Sequence, residues 1–150
     1  MEISYPVGRW CAAAVLWTPD GRYLLQLRDD KPGLIMRGHW AAFGGSVDPG
    51  EDGETAIRRE LMEELEFRAG DAELVTELTI RLPLGTGVRW DRMSFYAVPI
   101  TEEDVAGMVL HEGQAMRLFY PQDLMREEKV APWDLTAILM HARRDALFRT

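Results

Sequence analysis

Glu60, Glu63 and Glu64 stand at i, i+3 and i+4 in a segment whose apolar residues Ile57, Leu61 and Leu65 recur every four positions. That spacing predicts a helix over residues 54–65 with its apolar stripe turned to a core. The three glutamates share one helical face. At about 100° per residue, that face lies roughly 100° around from the stripe. Such a helix buries one side and projects three carboxylates along a cleft. Like charges at this spacing cost a helix about a few tenths of a kcal/mol each. A hard divalent cation compensates them. Mg²⁺ takes oxygen ligands, keeps several waters and is commonly shared between carboxylates and substrate phosphates. Arg59 is placed to brace the array, and Glu51 to reach back to Arg59 or to the metal shell. The Gly44-Gly45 pair lets backbone approach an ion closely and lend a carbonyl. Taken alone, Glu-x-x-Glu-Glu is the pattern of a solvated acidic face. The fixed spacing from Gly45 to Glu51, to Arg59-Glu60 and to Glu63-Glu64 is what argues for more.

The elements that must position this face are short. Residues 10–17 read as a buried strand, Pro19-Asp20-Gly21-Arg22 as a turn, and residues 23–28 as a second strand closing a hairpin. Residues 29–38, with Pro32, Gly33 and Gly38, read as an exposed loop. Trp40-Ala41-Ala42-Phe43 is a short apolar piece leading into Gly44-Gly45 and a turn-rich loop that ends near Gly53. Beyond the acidic helix, strands are expected over about 74–82, 88–100 and 116–120, with residues 101–104 as a loop or short turn. Pro121 opens a short helical turn. Pro132 opens a last helix with Leu135, Ile138, Leu139, Ala142 and Ala146 on one side. Strands with one central and one terminal helix indicate a mixed α/β (α+β) sandwich.

The chain has 150 residues, with 47% hydrophobic and 28% charged, which suits one ordinary domain spanning residues 1–150. Against 17 Lys+Arg stand 25 Asp+Glu, a formal charge of −8. That balance argues against a nucleic-acid polymer as the main partner, because polymer binding needs a basic stripe to displace counterions. It argues equally against an anionic membrane surface. A small phosphorylated ligand stays open, since a bound cation reverses the local sign of a site. Cys11 is the single cysteine, so there is no intrachain disulfide and no Cys-rich zinc site; its apolar surroundings read as those of a buried thiol. Residues 1–6 lack a basic n-region and a long apolar h-region. No apolar stretch approaches the roughly 20 residues of a membrane span. A cytoplasmic protein, monomer or homodimer, is the expectation.

With these residues set out, the chain resembles the Nudix (MutT-like) hydrolases, whose box reads Gly-x5-Glu-x7-Arg-Glu-U-x-Glu-Glu-x-Gly-U, U being bulky and apolar. Here it runs Gly45, Glu51, Arg59, Glu60, Leu61, Glu63, Glu64, Glu66 and Phe67, within residues 45–67. The departure is Glu66 where the family has Gly. A Gly there serves the helix C-terminus, so the substitution points to a turn deferred to Gly70. The resemblance implies an α-β-α sandwich with a mixed sheet, and Mg²⁺- or Mn²⁺-dependent hydrolysis of a diphosphate linkage by an attacking water. It implies Glu60 and Glu64 as metal ligands, Glu63 sharing in ligation or contacting metal-bound water, and the Gly45 carbonyl completing the set.

The general base is implied to be Glu112, from the likeness of Glu112-Gly113-Gln114 to a MutT loop, with Glu63 as the alternative. Arg28, Arg37 and Arg92 are candidates for phosphates or leaving group, Arg92 through the MutT-like Asp91-Arg92 pair. Asp134, in Pro132-Trp133-Asp134, aligns with the segment that touches the base in MutT. His39, His111 and His141 read as strand-entry, loop and helix-surface residues, and Trp17, Trp40 and Trp90 as packing. The implied substrate is a nucleoside triphosphate or related diphosphate derivative. The alternatives are a nucleotide-sugar or ADP-ribose pyrophosphatase and a catalytically silent nucleotide-sensing module.

Overall fold

The computed structural model describes residues 7–85 and 87–147; residues 1–6, read above for a leader, lie outside the described residues, as do Thr86 and residues 148–150. Strand β1 (Val7–Trp17) is the spine of a seven-stranded mixed sheet. It turns through Thr18–Arg22 into β2 (Tyr23–Leu27), but the two pair over only Leu16↔Leu24 and Trp17↔Tyr23. The rest of that edge of β1 goes to β4 (Phe43–Ser46), which follows the two-residue β3 (Trp40–Ala41). Helix α1 (Gly53–Leu65) comes next, then the long hairpin of β5 (Glu73–Leu84) and β6 (Gly87–Pro99). β6 runs parallel to β1, from Val7↔Trp90 to Trp17↔Pro99, and every other pairing between these strands is antiparallel. A short helix α2 (Glu102–Gly107) leads to β7 (Ala115–Phe119), which pairs with β2. The short α3 (Pro121–Leu124), α4 (Pro132–Ala142) and α5 (Arg144–Leu147) complete the order.

Strand alternation splits the core in two. Ala12, Ala14 and Leu16 of β1 pack with Ile57, Leu61 and Leu65 of α1. Ala13 and Val15 face the other way, against Tyr23, Phe95, Phe119 and Ile138 of α4. Burying these side chains at about 25 cal/mol per Å² is what fixes the sheet between its helices. Alanines in the centre of β1 let the layers approach closely.

Several expectations are corrected. Residues 101–104 begin a helix, because Thr101 and Asp104 form a capping box, with bonds of 2.9 and 3.0 Å. The last helix stops at Ala142, so Ala146 belongs to α5 and not to the α4 stripe. His141 is not on the surface: it is 5% exposed, its Nδ1 lies 2.9 Å from the Tyr23 hydroxyl, and its ring lies 5.2 Å from that of Trp17. Trp17 and Trp40 pack as expected, the latter edge-on to Phe119 at 4.9 Å.

The exit from α1 differs as well. Glu66 itself takes the left-handed conformation (φ 52, ψ 34). Its N–H donates to Met62 O at 3.0 Å and that of Phe67 to Leu61 O at 3.3 Å. Gly70 is not needed for the turn. The conformation costs a non-glycine residue about 1 kcal/mol, partly offset by a 2.8 Å contact from Glu66 Oε2 to His111 Nε2.

Candidate active site

Helix α1 begins at Asp52, whose side chain accepts from Thr55 N at 2.7 Å. Two turns later Arg59 gathers the preceding loop onto the helix. Its Nε and Nη2 each lie 2.9 Å from a Glu51 oxygen, and Nη2 also donates to Ser46 O at 3.0 Å. Nη1 reaches Glu60 at 2.9 Å and Glu63 at 3.3 Å, and Asp48 stands 3.4 Å from Nη2. Arg59, together with the Asp48 N–H, holds the Glu51 carboxyl below its usual range. Glu51 and Arg59 thus form a bracket behind the acidic face.

Glu60 and Glu64 point toward β4, where Gly44 is a steric necessity and Gly45 leaves room for the Glu60 carboxyl. A Cβ on Gly45 would come 2.5 Å from Glu60 Oε1, and one on Gly44 would strike the Ala12 carbonyl. Glu64 is 4% exposed; its Oε2 accepts from Gly44 N at 3.1 Å. Burial, then a hydrogen bond and like charge from Glu112, then the charge of Glu60, push Glu64 well above the ordinary carboxylate range. Glu60 moves the same way through burial, opposed by Arg59.

Glu112 arrives on a loop strapped to the end of α1. Val109 N donates to Leu65 O at 3.0 Å and His111 N to Glu64 O at 2.9 Å. On the far side, Gln114 N donates to Leu27 O at 2.8 Å and Gln114 Nε2 to Arg28 O at 2.9 Å. Gly113 (φ 87) lies so close to β2 that a Cβ would sit 2.8 Å from Gln26 Oε1.

These groups open on a cavity of about 460 Å³. Gly45, Glu60, Glu64, Glu112, Arg28 and Asp134 all line it. Arg28 donates from Nε to Ile35 O at 3.0 Å. Asp134, in the first turn of α4, is 4% exposed and accepts from Ala42 N at 3.0 Å. Burial pushes it up to about 6, against the Ala42 N–H and the charge of Arg28.

Glu63 is on the exposed side of the helix against Arg59 and does not line the cavity. Arg37 is also outside, 3.3 Å from Asp30. Arg92 is turned to the opposite face of β6, 2.8 Å from Glu77 and 4.3 Å over the Trp10 ring. Strand alternation sends its neighbour Asp91 to the cavity instead. Sequence reasoning gave no site role to several lining residues, among them Arg9, Cys11 and Asp91. The alternation of β1 is the signal that finds the first two, since Arg9, Cys11 and Ala13 share a face.

The donor set suits a hard cation. Three carboxyls, Glu60, Glu64 and Glu112, converge on one cavity, and Glu64 is buried among acids. A divalent ion would offset the like-charge cost of bringing these carboxyls together. Among the described residues, no group of three His, Cys, Asp or Glu side chains is already closed around one point; one Glu60 oxygen is held by Arg59.

The model of the Nudix domain family matches residues 8–139. The chain belongs to the Nudix family. Among curated proteins it is similar to the nucleoside triphosphatase NudI of Escherichia coli, 48% identical over 61 residues, which are 40% of this chain and 39% of that protein. The chain thus spans about two-fifths of the length of the curated relatives it matches. Among solved structures, a MutT Nudix hydrolase of Burkholderia pseudomallei superposes with a TM-score of 0.72 at 24% identity, covering 88% of this chain and 96% of that one. The ORF135 protein of E. coli gives 0.72 at 25% identity, covering 97% and 100%. An Ap4A hydrolase of C. elegans gives 0.69 at 20% identity, covering 93% and 99%. The mixed sheet between helices is therefore the Nudix fold. No helix among the described residues is long and apolar enough to cross a membrane.

Proposed function

We propose that this chain is a divalent-cation-dependent hydrolase that cleaves a diphosphate linkage in a nucleoside triphosphate or a related nucleoside diphosphate derivative. The observation that carries the reading is the buried Glu64, set against Glu112 and near Glu60 on the wall of a nucleotide-sized cavity. Glu60, Glu64 and the Gly45 carbonyl are the groups to hold Mg²⁺ or Mn²⁺. Such an ion neutralises diphosphate oxygens and makes water a better nucleophile.

The remaining work falls to the chain's own side chains. Glu112 lines the cavity and touches Glu64, which favours it over Glu63 as acceptor of the water's proton within hydrogen-bond reach. Glu63 is committed to Arg59 on the exposed side. Arg28 offers its charge to the phosphates. Asp134 and Trp133, at the start of α4, form the wall suited to a nucleobase, through hydrogen bonds and stacking. The similarity to NudI supports a nucleoside triphosphate as substrate.

The test is a screen of nucleotides, nucleotide sugars and dinucleotides with Mg²⁺ or Mn²⁺, comparing wild type with Glu64→Gln and Glu112→Gln. Turnover is expected to fall at least about 100-fold in Glu64→Gln. Glu112→Gln is expected to lose rate with little change in substrate affinity. Unchanged turnover in Glu64→Gln defeats the metal assignment, and no turnover of any diphosphate by wild type defeats the hydrolase reading.

A further inference from the structure

The described arginines differ in what their guanidinium groups already hold. Arg22, Arg37, Arg58, Arg59, Arg89 and Arg92 each pair with a carboxylate. The two that line the cavity, Arg9 and Arg28, form no ion pair among the described residues. Arg28 is a residue the sequence points to directly. Arg9 is not, and its surroundings are more telling.

Arg9 stands on the cavity face of β1, two residues before Cys11 and four before Ala13, both of which line the same cavity. Its Nε donates to Ser46 Oγ at 2.9 Å. Ser46 directly follows Gly45, the residue packed against the Glu60 carboxyl. That one bond orients the guanidinium and leaves its two terminal nitrogens for a ligand.

The acid best placed to neutralise Arg9 is Asp91, its register partner on β6. Asp91 is already taken: Arg89 donates to Oδ1 at 2.7 Å and to Oδ2 at 2.9 Å. Beside the metal carboxylates there is thus a guanidinium fork with an anchored stem and no carboxylate in its grip. Such a fork matches the geometry of phosphate oxygens. A solvated surface arginine needs neither an anchoring hydroxyl nor a neighbouring acid occupied by another arginine.

We propose that Arg9 is a phosphate-binding residue of this cavity, holding the polyphosphate chain of the substrate through its terminal nitrogens while Ser46 fixes its orientation. The identity of the ligand rests on the hydrolase reading; the binding itself is measured without it.

The experiment titrates inorganic tripolyphosphate into the full chain in the presence of Mg²⁺, by calorimetry, for wild type, Arg9→Gln and Arg9→Lys. Arg9→Gln is expected to weaken binding about 10- to 100-fold, the loss of charge-assisted hydrogen bonds to phosphate. Arg9→Lys, which keeps the charge as a single point, is expected to recover part of it. Melting temperature is expected to stay unchanged, because the residue is exposed. Wild-type affinity in Arg9→Gln, or no binding by any form, overturns the proposal. Should Arg9→Gln also melt lower, Arg9→Lys decides: recovered affinity supports the proposal and unrecovered affinity overturns it. Tripolyphosphate binding through Arg9 without hydrolysis of any nucleotide defeats the function proposed above and leaves this one standing. Hydrolysis with an unaltered KM and unaltered tripolyphosphate affinity in Arg9→Gln does the reverse.

Discussion

Asp134→Asn is expected to make the protein more stable at neutral pH and to leave it no more stable in acid. Asp134 is 4% exposed, with the Ala42 N–H as its hydrogen-bond donor. Burial lifts its pKa from 3.8 to about 6 in the fold. A carboxyl raised in this way binds a proton more readily folded than unfolded. Its contribution is therefore fully favourable below the unfolded pKa near 4 and is lost as pH rises through about 6. The difference of about two pKa units corresponds to roughly 3 kcal/mol at pH 7.5. Asparagine keeps an oxygen for Ala42 N–H and carries no charge, but its amide nitrogen is also buried, so a net gain of about 1–3 kcal/mol is expected. The assay is urea denaturation of both proteins at pH 4, 5, 6 and 7.5, without divalent cations. Only the difference between the two proteins is read, which removes groups that titrate in both. The gain should grow between pH 4 and 6 and level off above. A variant less stable than wild type at pH 7.5, or a difference flat across the range, refutes the reasoning.

Three other expectations come from equally local features. Glu66→Gly relieves a left-handed residue and loses only an exposed contact with His111, so a gain of roughly 0.5–1 kcal/mol is expected; a lower urea midpoint contradicts it. Gly45→Ala puts a methyl 2.5 Å from Glu60 Oε1, and Mn²⁺ affinity by calorimetry should fall at least about tenfold. Unchanged affinity shows that the close approach of Gly45 to Glu60 is not needed to hold the ion. His141, pulled down to about 4 by burial and then by the charge of Arg144, stays neutral in the fold while the unfolded chain protonates near 6.5. Its contribution is present above pH 6.5 and lost as pH falls through 4, a change of about 3 kcal/mol. The stability difference between wild type and His141→Gln should therefore shrink on acidification, and one that grows rejects the assignment.

The acidic helix was legible because its information is contiguous. The Ile57/Leu61/Leu65 stripe and the charged spacing lie within a few turns, and their relative angle follows from helix geometry alone. The sandwich was legible for a related reason, since its longer strands carry clear apolar runs. What failed to show depended on partners distant in sequence. β4 has two glycines among four residues, and only its pairing with β1 makes it a strand. Arg92 and Asp91 could not be told apart until the phase of β6 against the sheet was known. His141 reads as a surface residue on its own helix and is buried by Trp17 and Tyr23, more than a hundred residues earlier. α2 is a different case. Its capping box, Thr101 to Asp104, was present in the sequence, but four acidic and polar residues resemble a loop when the cap is not sought.

The strap between the Glu112 loop and α1 ties two behaviours together. Glu64 turns its carboxyl to the cavity, while its carbonyl accepts the N–H of His111. That carbonyl and the one of Leu65 are among the last of the helix and have no partner within it. Fraying of the final turn therefore removes the two backbone bonds that tie the Glu112 loop to α1 and leaves it held by Gln114 on β2. Such sub-global openings cost less than complete unfolding. Heat should silence this protein while its sheet is still intact, and the temperature at which activity fades will report the tenacity of one helix end.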